Sequence, residues 1–137
     1  MIEVKGLDHI VIRTTNLQAM LDFYGEFLGC SVERELGSEI GLVQLRAGTA
    51  LIDIVPVDSE LGRMGGSAPA QDGRNIDHFC LCIAAVDEAA LLAELESRDI
   101  SHGDFAERYG AQGFGRSVYL EDPEGNVVEL KFERIPD

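Results

Sequence analysis

A six-residue pattern occurs twice in the chain, as Leu7-Asp8-His9-Ile10-Val11-Ile12 and as Ile76-Asp77-His78-Phe79-Cys80-Leu81. Each copy sets Asp and His after an apolar residue and continues with three apolar residues or cysteine. Each is followed by a helix-like stretch and then by strand-like runs, so the chain reads as two like supersecondary units in tandem. Each unit also carries an acidic residue inside a later apolar strand, Asp53 in the first and Glu129 in the second.

The elements follow from periodicity. Gly6 to Thr14 predicts a strand in which Leu7, His9, Val11 and Arg13 share one face, because side chains alternate. Leu17, Met20, Leu21, Tyr24, Phe27 and Leu28 recur at three- and four-residue steps, which predicts a helix, capped by Thr15 or Asn16 and ended by Gly29. Three strands then follow, about 31–36, 40–47 and 49–57, and in the third Leu51, Asp53 and Val55 share a face. Residues 56–75 are rich in Gly, Ser, Ala and Pro and form a linker or a loop over a site. The second unit repeats the order: a strand at His78, a helix over 86–97, then strands near 103–108, 116–121 and 126–132. Its last two strands are joined by Asp122-Pro123-Glu124-Gly125-Asn126, a turn in which Pro presets φ and Gly permits a positive one. The order is therefore βαβββ twice. The predicted class is α+β: one domain over 1–137, with module one at about 6–57, a linker at about 58–74 and module two at about 75–132.

His9, Asp53, His78 and Glu129 each occupy an alternate position in an otherwise apolar strand, opposite a face that a helix can cover. All four are thereby expected to point from curved mixed sheets into one cavity. Two imidazoles and two carboxylates form an N2O2 set suited to Ni, Co, Zn, Mn or Fe, with room for water or substrate oxygens. Duller readings exist for each residue alone. A single His in a strand is commonly a satisfied core or edge residue, Asp53 can face solvent, and Glu129 can pair with Lys131 or a neighbouring Arg. Their coincidence at repeat-related positions favours the metal reading. Cys80 and Cys82 share the face of His78, but nothing around them resembles a zinc knuckle, and they read as small apolar residues. Gly110-Ala111-Gln112-Gly113-Phe114-Gly115 lacks the Lys-Ser/Thr ending of a phosphate cradle and reads as a mobile loop at the cavity mouth.

Bulk properties narrow the partners. A chain of 137 residues buries roughly two thirds of its unfolded surface, enough for a core. The formal charge of −14 argues against nucleic acid and anionic membrane, both of which require clustered Lys and Arg. Three cysteines are an odd number without scaffold density and read as reduced thiols. With no signal peptide and no apolar run of about 20 residues, the expected location is cytoplasmic.

The repeated Asp-His strands, Phe23-Tyr24 through Leu28-Gly29-Cys30, and Asp122-Pro123-Glu124-Gly125-Asn126-Val127-Val128-Glu129-Leu130 together resemble the vicinal oxygen chelate superfamily over nearly the whole chain. That superfamily includes glyoxalase I, fosfomycin-resistance thiol transferases, extradiol dioxygenases and bleomycin-binding proteins. The resemblance implies paired βαβββ modules forming a cupped sheet around a divalent metal, commonly across a homodimer. It places metal ligands at His9, His78 and Glu129, and in the glyoxalase I branch a fourth, usually Glu, where this chain has Asp53. The implied function is a metal-dependent lyase or isomerase on a small substrate chelated through adjacent oxygens. Proton abstraction falls to Glu129 or Asp53, with stabilisation of the enediolate. An extradiol dioxygenase, a thiol transferase to an epoxide antibiotic and a metal-free drug-binding protein are the alternatives.

Overall fold

The computed structural model describes residues 1–135. The chain divides into two compact units, with the boundary between Asn75 and Ile76. The first contains β1 (His9–Thr14), α1 (Leu17–Leu21), β2 (Val32–Leu36), β3 (Leu42–Ala47), β4 (Ala50–Pro56) and the short α2 (Glu60–Arg63). The second contains β5 (His78–Ile83), α3 (Glu88–Ser97), β6 (Ala106–Gly110), β7 (Gly113–Glu121) and β8 (Val127–Phe132). This is the tandem βαβββ arrangement, and the two sheets have the same strand order: β1-β4-β3-β2 and β5-β8-β7-β6. In each, the first and last strands pair in parallel and the remaining pairs are antiparallel.

In the first unit Ile12, Val43, Leu45, Ile52 and Ile54 point to one side of the sheet and are buried with Met20, Phe23 and Tyr24. The predicted helix is not uniform. After Leu21 it widens into a π-helical segment, Asp22–Phe27, in which the Leu28 N–H donates to the Phe23 carbonyl five residues back, at 3.0 Å. That wider turn buries the adjacent Phe23 and Tyr24 together, with their rings edge-on at 4.9 Å. A 3.6-residue pattern does not report such a segment.

Residues 57–75 are more than a passive connection. Ser59 caps α2 by accepting from Gly62 N, and Arg13 donates to the carbonyls of Gly62, Gly66 and Ser67. The Asn75 side chain accepts from Arg13 N and donates to Arg13 O, closing the segment onto β1 as a further strand would.

In the second unit the core side of the sheet carries Val118, Leu120, Val128 and Leu130, all buried, and α3 contributes the fully buried Leu95. Asp87 caps α3 by accepting from Ala90 N. The turn into β8 is tied by Asp122, whose Oδ1 accepts from Glu124 N and Asn126 N while Oδ2 accepts from Asn126 Nδ2. Gly125 stands there at φ +89°. The segment from Gly110 to Gly115, expected as a loop, is a hairpin: β6 and β7 pair from Gly110↔Gly113 outward. Gly113 at φ +90° lets the chain reverse over Ala111 and Gln112, and the Tyr109 and Phe114 rings meet across the ladder at 5.1 Å. No helix among the described residues is long and apolar enough to cross a membrane.

Candidate functional site

The side of each sheet opposite its core carries the polar residues singled out by the repeat. In the first unit β1 and β4 run in parallel with His9 opposite Leu51 and Val11 opposite Asp53, so His9 and Asp53 share a face one step apart along neighbouring strands. In the second, His78 lies opposite Val127 and Cys80 opposite Glu129, the same diagonal. There the His78 Nε2 stands 3.8 Å from Glu129 Oε1. That is too long for a hydrogen bond, and a divalent ion, if bound, would have both donors within reach.

Each imidazole is held from behind by the residue before it. Asp8 Oδ1 is 2.7 Å from His9 Nδ1, and Asp77 Oδ2 is 2.6 Å from His78 Nδ1. A carboxylate on Nδ1 fixes the proton there and leaves the Nε2 lone pair outward, the arrangement that orients metal-ligating histidines. The hydrogen bond from Asp8, followed by the charge of Asp53, raises the His9 pKa above its ordinary 6.5. Both rings are close to half exposed, whereas their partner carboxylates Asp53 and Glu129 are 3% and 6% exposed.

The buried carboxylates are positioned by side chains that the strand pattern did not single out. Gln44, opposite Asp53 on β3, donates from Nε2 to both Asp53 oxygens at 3.2 Å, while its Oε1 accepts from Arg34 on β2. Because the Arg34 guanidinium can only donate, the Gln44 amide is oriented with its NH2 toward Asp53. Tyr119, opposite Glu129 on β7, stands edge-on to the His78 ring at 5.4 Å. Its phenol is pushed above its ordinary pKa by burial, by the charge of Glu129 and by a hydrogen bond to that carboxylate. It therefore keeps its proton at neutral pH. Arg108 lies over the Tyr119 ring, 4.5 Å from the centroid, and donates to Ser117 O and Oγ. Among these residues Asp8 and Asp77 had a signal in the sequence, since each precedes its His in both copies of the repeat.

The polar face of the second unit opens into a cavity of about 370 Å³, lined by His78, Cys80, Gln112, Glu129 and Lys131 among others. This volume falls in the range of small-molecule pockets. Cys80 has accessible area but is recessed in the cavity wall. Desolvation there, then the charge of Glu129, pushes its thiol up to about 11, so it is a neutral thiol at physiological pH. Glu129 stands beside His78 and makes no ion pair with Lys131 among the described residues.

The donor chemistry suits a divalent ion: an oriented imidazole and a carboxylate within one ion's reach in the second unit, and the same pair of residue types at equivalent positions in the first. Among the described residues no three His, Cys, Asp or Glu side chains cluster as a ligand group, so the structure itself shows pairs.

Comparison with solved structures places this fold among known ones. A protein from the mobile metagenome of V. Pseudocholerae is 22% identical, covering 98% of this chain and 99% of its own, with a TM-score of 0.72. A virulence protein from Salmonella typhimurium is 23% identical over 97% of this chain and 100% of its own, with a TM-score of 0.69. A lactoylglutathione lyase from Agrobacterium tumefaciens is 20% identical over 94% of each chain, with a TM-score of 0.61. At these identities the likeness is one of fold. No curated protein matches the chain. The family description Glyoxalase/Bleomycin resistance protein/Dioxygenase superfamily matches residues 6–130. With nearly the whole length matched, the chain belongs to the glyoxalase/bleomycin resistance protein/dioxygenase superfamily.

Proposed function

We propose that the chain is a divalent-metal-dependent enzyme of the glyoxalase type, a lyase or isomerase acting on a small substrate that offers two adjacent oxygens. The observation that carries this reading is the duplicated dyad. An Asp-backed imidazole shares a sheet face with a buried carboxylate at equivalent register positions of both sheets, and in the second the His78 Nε2 stands 3.8 Å from Glu129. A pure binding protein has no need of that set.

His9, Asp53, His78 and Glu129 are the side chains that would hold the ion. A divalent ion there supplies Lewis-acid polarisation of a chelated carbonyl, worth several kcal/mol. The chain's own residues do the rest. Asp8 and Asp77 keep the Nδ1 protons in place, so the two rings cannot turn their lone pairs away. Glu129, buried on β8 beside His78, takes the proton from the carbon next to the carbonyl, a contribution of about 10²–10⁴-fold for a well-placed base. Tyr119, opposite Glu129 on β7, keeps its phenol proton beside that carboxylate. Asp53, fixed by Gln44, is the equivalent carboxylate of the first unit and serves as ligand or as the second base. The enzyme works as a homodimer in a reducing cytoplasm.

Replacing Glu129 with Gln keeps the shape of the side chain and removes the base. Turnover on a hydroxy-carbonyl or thiohemiacetal panel is expected to fall by at least about 10²-fold, with an unchanged thermal transition. Near-normal turnover in that variant would remove Glu129 from the chemistry.

A further inference from the structure

Lys131 follows Glu129 by two residues on β8, so the two side chains leave the same face of the strand about 7 Å apart. Cys82 lies opposite Lys131 on β5 and Ser117 opposite it on β7, and neither is an acidic residue. Lys131 is nevertheless only 6% exposed. Lysines are almost never buried to that degree, and here the stem is enclosed while the ammonium stays open to the cavity, since no buried side-chain nitrogen among the described residues is left without a partner. Among the described residues the Lys131 ammonium has neither a hydrogen-bond acceptor nor an ion-pair partner, and the side chain lines the cavity that also holds His78 and Glu129.

The hairpin over this side chain is shaped to fit it. A Cβ at Gly110 would stand 3.2 Å from Lys131 Cδ and Cε, and a Cβ at Gly115 would stand 3.0 Å from Nζ. Both glycines leave the space through which the lysine reaches the cavity. At the hairpin tip, Gln112 Oε1 accepts from Arg134 N at 2.8 Å, which directs its oxygen to the backbone. The Gln112 NH2 then has no acceptor among the described residues, and Gln112 lines the same cavity. An ammonium and, from the exposed Gln112 at the rim, an amide NH2 therefore face one cavity, in a chain whose net charge of −14 would otherwise repel an anion.

We propose that Lys131, assisted by the Gln112 amide, is the oxyanion anchor of this cavity and binds the carboxylate or phosphate group of a small-molecule substrate whose other end meets His78 and Glu129. This deepens the enzymatic reading above: the substrate carries an anionic group in addition to the oxygens that react.

The test uses the full-length, chelator-treated protein and two probes, inorganic phosphate and succinate, titrated separately while backbone amide resonances are followed by NMR. Both probes are expected to shift Gly110, Gln112 and Gly115 saturably, and the tighter of the two identifies the substrate's anionic group. Lys131→Met should weaken the preferred probe at least tenfold. Lys131→Gln, which keeps a polar side chain and removes the charge, should weaken it as well, and it decides the matter if the Lys131→Met protein does not fold. No saturable shift with either probe, or equal affinity in the variants and the wild type, would overturn the anchor. A separate titration with nickel, read at the amides of His78 and Glu129, tests the metal reading on its own. Anion binding without nickel binding would sink that reading and leave the anchor, and the reverse result would do the opposite.

Discussion

A neutral imidazole offers one N–H and one lone pair, and which nitrogen carries which is decided by what the other touches. Asp8 and Asp77 make that decision identically in the two units, at 2.7 and 2.6 Å. Removing such a partner commonly costs about 10–100-fold in metal affinity. Asp77→Ala is therefore expected to weaken nickel or zinc binding by that factor in a calorimetric titration, and an unchanged affinity would mean the dyad has no part in ligation. In the metal-free protein, Asp8→Asn removes the largest cause of the raised His9 pKa, so the His9 ring resonances should titrate closer to 6.5 than in the wild type. The sign for stability follows: this pair contributes fully below about pH 6.5 and its contribution is lost as pH rises through the higher folded value. The shared faces of His9 with Asp53 and of His78 with Glu129 were legible from alternation alone. The Asp residues were marked by the repeat, but their turn onto the Nδ1 atoms was not legible, for a physical reason. β1 begins at His9 and β5 at His78, so Asp8 and Asp77 lie just outside the pleat that would have turned them to the opposite face.

At the scale of elements, α3 is joined to β7 by a two-point contact in which Arg116 Nε and Nη2 donate to Glu88 at 2.9 and 2.8 Å. Glu88 also sits in the first turn of α3, where a negative charge suits the helix dipole. The hydrogen bond from Arg116 holds the Glu88 pKa below its ordinary 4.5. The stabilisation is thus present above about pH 4.5 and lost as pH falls through the depressed folded value. Arg116→Met should lower the urea midpoint at pH 7 and lose that difference near pH 3, and an equal difference at both pH values would contradict the linkage. The order of the elements was legible because the hydrophobic periods of 2 and 3.6 are distinct over most of the chain. Two features were not. The π-helical segment after Leu21 keeps a helix-like apolar pattern while changing its hydrogen bonds. The Gly110–Gly115 stretch has the composition of a loop, yet its small residues are what let a hairpin close over Lys131.

At the scale of the molecule, the duplicated sheet order accounts for why a short sequence pattern was enough to give the architecture. Once β1 and β5 are equivalent, the parallel partners β4 and β8 must bring Asp53 and Glu129 to equivalent places. The acidic surface, formally −14, leaves Lys131 and Arg108 as local positive charges on an otherwise repelling molecule, which suits selection of a small anion over a polyanion. The anchoring lysine itself was not legible, because a Lys two residues after Glu129 reads in a sequence as that carboxylate's ion-pair partner. The proposed function stands or falls on whether the Asp-backed histidines and their neighbouring carboxylates hold a divalent ion. Elemental analysis of protein purified without chelator, alongside His9→Ala and His78→Ala, tests it most directly. About one divalent ion per wild-type chain is expected, and loss of that ion in both variants. No ion in the wild type and none taken up on addition, or full retention in either variant, would contradict it.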